Sequence, residues 1–161
     1  MQTLPFTHDD LFVFIDRAGK ATFAGDGKPA ETLERKGFTE LEFSDGYFYY
    51  RDSYTGATKS RGMELVRYKG ETVWASMYGG GMVEGKEDLE ETTFEFLKKA
   101  MLADEPEFKS FRGPHKLSDG DWEYTDKQEG DISEFSGYEK IKYKGELVFF
   151  HRIIGGIINH A

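Results

Sequence analysis

The chain contains no cysteine. That removes disulfides, zinc ribbons, iron–sulfur clusters and thiol nucleophiles, and it fits a reducing cytoplasm. Basic residues are in the minority: 21 Lys and Arg stand against 30 Asp and Glu, a formal net charge of −9. Direct nucleic-acid binding needs Lys and Arg to displace counterions from phosphates, and anionic lipid attracts the same surplus, so neither kind of partner is expected. Long apolar runs are missing too. No stretch approaches the ~18 residues of a membrane span. The acidic segment Met1–Asp10 does not read as a signal peptide. The apolar tail Arg152–Ala161 is short and broken by Gly155 and Gly156. Histidine is sparse: His8, His115, His151 and His160 form no His-x-x-x-His or His-Glu-x-x-His spacing, so no metal and no cofactor is expected. There is no Gly-x-Ser-x-Gly elbow, and Gly79-Gly80-Gly81 lacks the Lys-Ser/Thr of a phosphate loop; it reads as a bend or bulge.

Aromatic residues are plentiful, with 14 Phe, 9 Tyr and 2 Trp in 161 residues. Each ring buries about 150–250 Å², and a chain of this size buries roughly 68–70% of its unfolded surface. One core is expected, in a single domain spanning 1–161.

The chain repeats itself. Ser-Asp-Gly stands at 44–46 and again at 118–120, and Tyr-Lys-Gly at 68–70 and again at 143–145. Glu71-Thr72-Val73-Trp74 aligns with Glu146-Leu147-Val148-Phe149, and Gly80-Gly81 aligns with Gly155-Gly156. These anchors predict a tandem duplication, with repeat 1 at about 8–85 and repeat 2 at about 87–161. Each half reads as a helix followed by antiparallel hairpins. Thr7-x-x-Asp10 resembles a capping box ahead of Leu11, Phe14, Ile15 and Ala18 at helical spacing, with Gly19 as the stop. A second helix is predicted from about Glu87 to Leu102, with Leu89, Thr93, Phe94, Leu97, Ala100 and Met101 as its stripe. Strands are predicted at 41–43, 47–53, 63–68 and 72–78, and again at 121–126, 138–143 and 147–153. The polar segment Gly25–Gly37 reads as a surface loop. The fold class expected is α+β: two pseudo-symmetric halves sharing one core, with helices over one face of the sheets.

Strand residues alternate between faces. Phe48, Tyr50 and Asp52 match Trp122, Tyr124 and Asp126, whereas Tyr47, Tyr49 and Arg51 match Asp121, Glu123 and Thr125. The first set is expected on the packed side and the second to be more exposed. Glu64, Val66 and Tyr68 match Glu139, Ile141 and Tyr143; Trp74, Ser76 and Tyr78 match Phe149, His151 and Ile153. A carboxylate on a packed face needs a partner. For Glu64 and Glu139 that partner is a backbone amide or Arg51, Arg61 or Arg112, or else the carboxylates face a ligand. His151 is either a packed imidazole or a ligand or base. The aromatic and charged enrichment of the first half points to a small-molecule pocket with Tyr50, Trp74 and Tyr78 as walls and Arg51, Asp52 and Glu64 as polar handles; Tyr54, Arg112, Glu139 and His151 complete the candidate set.

The runs Phe48-Tyr49-Tyr50-Arg51-Asp52-Ser53-Tyr54, Val73-Trp74, Phe111-Arg112-Gly113-Pro114 and the closing Gly155-Gly156 resemble an uncharacterised prokaryotic domain-of-unknown-function family. That family is often found C-terminal to a helix-turn-helix domain in transcription regulators, and also alone. Here the first helix starts within ten residues of Met1, so the resemblance implies a sensing or assembly module without its own DNA reader. The leading expectation is a cytoplasmic small-molecule binding or sensing domain. The alternatives are a dimerisation module, pairing two copies through the free edge of the apolar strand Ile153–Ile158, and a hydrolase using Glu64, Glu139 or His151.

Overall fold

Two identical turns organise the sheet. Lys69-Gly70 and Lys144-Gly145 both place a lysine at φ 50° ahead of a glycine at φ 89° and 81°. Paired left-handed residues give the hairpin turn whose twist suits antiparallel strands. The computed structural model describes residues 4–160; Met1–Thr3 and Ala161, the ends of the expected domain, lie outside the described residues. Among the described residues the strands are β1 (Thr39–Asp45), β2 (Phe48–Thr55), β3 (Lys59–Tyr68), β4 (Glu71–Met82), β5 (Lys116–Asp119), β6 (Trp122–Asp131), β7 (Glu134–Tyr143) and β8 (Glu146–Ile157). Two helices accompany them: α1 (His8–Ala21), and α2 (Glu90–Leu102), which follows a 3-10 turn at Glu87–Leu89.

All eight strands form one antiparallel sheet in the order β1-β2-β3-β4-β8-β7-β6-β5. The α+β expectation of duplicated helix-plus-hairpin halves is therefore corrected. Strand accounts for 47% of the described residues and helix for 19%, and the sheet runs unbroken across the molecule. The reason lies in the glycine runs. Instead of bending away, Gly79–Gly81 and Gly155–Gly156 continue β4 and β8, which pair with each other from Trp74↔Ile157 to Met82↔Phe149. A side chain at Gly80 would put its Cβ 2.1 Å from the carbonyl oxygen of Phe150, so the close approach of these strands depends on its absence. β8 is also paired with β7 along its length. It has no free edge, which removes the expected dimer contact through Ile153–Ile158. The outer edges are β5, only four residues long, and β1, against which Pro29 and Ala30 of the 25–37 loop are bonded. Short or covered edges resist pairing with other chains.

Helix α1 is capped as its sequence indicates: Thr7 accepts from the Asp10 amide, and Asp10 accepts from the Thr7 amide. Leu11, Phe14, Ile15 and Ala18 are buried, and the helix ends at Ala21, two residues past Gly19. Its stripe packs with Tyr50, Val66, Trp74, Phe111 and Phe135. Helix α2 buries Thr93, Phe96, Leu97, Ala100 and Met101 and builds a second apolar cluster with Tyr124, Ile141, Val148 and Phe149. Phe96 thus replaces Phe94 on the buried stripe. Both clusters sit on one face of the sheet, and a polar seam lies between them. Among the described residues, no helix is long and apolar enough to cross a membrane.

Candidate functional site

Register places the seam. Cα partners run Asp126↔Glu139↔His151↔Gly80↔Ser60 across β6, β7, β8, β4 and β3. Paired residues in antiparallel strands share a face, so the side chains of this row project together toward the helices. Gly80 has none, and across it Ser60 Oγ meets His151 Nε2 at 3.2 Å. On the other side of the ring, His151 Nδ1 lies 3.0 Å from Glu139 Oε1. That oxygen also accepts from Arg112 Nε at 3.0 Å and Nη2 at 2.5 Å, while Glu139 Oε2 accepts from the Tyr124 hydroxyl at 2.8 Å.

The second row runs Asp52↔Glu64↔Ser76↔Gly155↔Phe135. It holds the positions that the sequence repeat aligns with the first, but Ser76 stands where the other row has His151, and Phe135 where it has Ser60. Tyr50 donates to Glu64 at 2.7 Å, and Tyr78 donates to Asp52 at 2.9 Å.

The protonation pattern follows from burial. Glu139 is wholly buried; burial alone would raise its pKa, but the Arg112 guanidinium and His151 overcome this and hold it down at about 2. Burial lowers the pKa of His151, opposed by its bond to Glu139. Burial pushes Asp52 up to about 8, with the Glu64 charge adding to it. Glu64 is raised by burial against the pull of Arg112, and burial takes Asp126 to about 7 against its bond from Ser110. An ionised Glu139 only accepts hydrogen bonds. His151 Nδ1 lies 3.0 Å from that acceptor and 3.4 Å from the donor Arg112 Nη2; the shorter contact to Glu139 puts the proton on Nδ1, and Nε2 is left to accept from the Ser60 hydroxyl.

Beside the seam opens a cleft of about 430 Å³. Phe23, Leu41, Phe94, Leu97 and Met101 give it apolar walls, and Asp52, Ser60, Tyr78, Arg112 and His151 give it a polar floor. Arg112 stacks over Phe23 and Tyr78, each 5.4 Å from the ring centroid.

Of the sequence-predicted set, Asp52, Tyr54, Tyr78, Arg112 and His151 line this cleft. Glu64 and Glu139 lie beneath it, paired with Tyr50 and Arg112 respectively. Tyr50 and Trp74 are fully buried in the α1 core, not walls of the cleft. Arg51 is displaced furthest from expectation. It lies on the opposite face, and its side chain is 4% exposed, not open to solvent. There it bonds Glu40 at 2.8 Å, the Thr32 carbonyl and the Tyr49 hydroxyl, under the 25–37 loop. The residues that sequence reasoning missed are Ser60, Tyr124 and Asp126. Tyr124 and Asp126 were signalled by their match to Tyr50 and Asp52. Ser60 carried no signal, since it meets His151 only by reaching over a glycine of the intervening strand. Among the described residues no group of three or more His, Asp or Glu side chains is disposed to hold a metal ion.

A family model described as a domain of unknown function (DUF5680) matches residues 52–158, which takes in both polar rows. No curated protein and no solved structure matches the chain.

Proposed function

The chain belongs to the DUF5680 family, and we propose that it binds a small organic molecule in the cleft between helix α2, the 22–27 segment that follows α1, and the sheet. The observation that carries this reading is the pairing of apolar walls with a polar floor in one open cleft of about 430 Å³. Binding sites for small molecules combine this size with an apolar lining and a few convergent polar groups. The ligand that suits it has an aromatic or branched apolar body, set against Phe94, Leu97 and Met101, and one uncharged polar end directed at Asp52, Tyr78 and Ser60. A carboxylate end is disfavoured by the acids already grouped below the floor. A sensing role within a larger regulator, and a cytoplasmic setting in keeping with the lack of cysteine, extend the same proposal.

Ala57 is exposed on the cleft rim, at the β2–β3 turn. Ala57→Trp therefore narrows the mouth without touching the core. A panel of small aromatic and branched-chain carbonyl compounds, screened by thermal shift, is expected to yield a stabilising ligand. At about 100 times its Kd such a ligand adds about 2.7 kcal/mol to stability. The shift should disappear in Ala57→Trp. A shift of equal size in that variant would place binding outside the cleft.

A further inference from the structure

We propose that Ser60, His151 and Glu139 form a nucleophile relay that cleaves small uncharged carboxylic esters bound in the cleft, a reading that rests on the cleft as a small-molecule site. Three geometric observations support it. Ser60 Oγ is 3.2 Å from His151 Nε2, and His151 Nδ1 is 3.0 Å from a carboxylate oxygen of Glu139. This is the order of nucleophile, base and orienting carboxylate that activates a serine, and it is recognised by geometry and not by chain position. Both Ser60 and His151 line the cleft, so the nucleophile faces the space where a substrate would sit. The tautomer is also the productive one, because the ionised Glu139 fixes the proton on Nδ1 and leaves Nε2 free as a base.

The surrounding groups assign the remaining roles. Arg112 spends Nε and Nη2 on Glu139. Its Nη1 makes no hydrogen bond among the described residues and Arg112 lines the cleft, so this nitrogen is the cationic donor assigned to a developing oxyanion. The apolar walls suit an ester with a short alkyl or aryl group on either side. In the first step Ser60 Oγ bonds to the carbonyl carbon and its proton passes to Nε2. The ester C–O bond then breaks, and the alcohol leaves with that proton. Water adds to the acyl-serine and gives a proton to Nε2, which returns it to Ser60 as the carboxylic acid departs. Ser60 and His151 are the catalytic residues; Glu139 is a positioning residue that acts through the imidazole.

The other row makes the assignment specific. Its matching positions carry Ser76 beside Glu64 and Phe135 in place of Ser60, so it has a serine and a carboxylate but no imidazole to serve as base. Buried structural polarity alone does not require a serine, an imidazole and a carboxylate in this sequence of contacts in only one of two matching rows.

The test uses the full chain with a short-alkyl fluorophosphonate, p-nitrophenyl butyrate and 4-phenyl-2-butanone, an ester-shaped ketone that is not cleaved. Expected are one phosphonyl adduct by intact mass, located at Ser60 by peptide mapping, and butyrate ester turnover that falls about 10²-fold or more in Ser60→Ala. Ketone binding by calorimetry should survive in that variant. In Glu139→Gln the acid limb of the acylation rate should move to lower pH, whereas a purely structural loss would lower the rate equally at every pH. An adduct on another residue, or unchanged turnover in Ser60→Ala, overturns the relay. Ketone binding without any adduct also overturns it but leaves the cleft reading standing. Failure of both ketone binding and labelling removes the two together.

Discussion

At the level of single residues, the unusual feature is a set of carboxyl groups buried beside one guanidinium. Asp52 at about 8 and Asp126 at about 7 hold more protons in the folded chain than in the unfolded one. Stability from such groups is full below their ordinary values near 4 and declines as pH rises toward the folded values. His151, with its pKa lowered by burial, acts the other way only below its ordinary value of about 6.5. Between pH 6.5 and 8 the carboxyls therefore prevail, and unfolding free energy should fall with pH by up to about 1.4 kcal/mol per unit for each proton involved. Urea unfolding at half-unit steps measures this. Asp52→Asn should reduce the slope; an identical slope in wild type and variant would show that Asp52 is ionised throughout. At this scale the sequence was partly legible. Glu64 and Glu139 stood out because a carboxylate shared a face with Val66 or Ile141. Arg51 was misread because alternation says which face a residue is on, but not that a loop distant in sequence covers that face.

Among elements, β4 decides how the seam is assembled. Its glycine run lets β3 and β8 side chains meet above it, and Gly80 has φ 151°. Gly80→Ala forces a Cβ against the Phe150 carbonyl and is expected to cost about 1–3 kcal/mol, the range for backbone strain. Chemical denaturation reads the loss. Fluorophosphonate labelling under native conditions should fall as well, since the Ser60–His151 contact crosses this glycine; full-rate labelling in a destabilised variant would count against that dependence. The helices were the most legible elements. The Thr7–Asp10 box and the Leu11, Phe14, Ile15, Ala18 spacing are local signals, and local signals survive folding. β5 was missed because a four-residue edge strand has too few positions to show alternation. The ends of β4 and β8 were missed because glycine has no side chain to alternate.

For the whole molecule, the unbroken sheet makes the two apolar clusters interdependent. Residues 1–85 alone would leave the β4 edge open from Trp74 to Met82, and 87–161 would leave β8 open in the same way. Open, long strand edges recruit other chains. Each piece is expected to associate when expressed alone, and co-expression should restore the near-ultraviolet circular dichroism of the intact chain. A folded, monomeric 1–85 fragment would refute this.

The β4–β8 junction also has a kinetic meaning. Most strand pairs here join neighbours in the chain through short turns, but this junction joins residue 82 to 149 and 74 to 157. Closing so long a loop carries an entropic penalty that local hairpins avoid, and folding slows as contacts become more distant in sequence. The hairpins can therefore form early, with the junction as the late event. Ser60 and His151 stand on opposite sides of it, so the relay comes into existence only when the last large step of folding is complete.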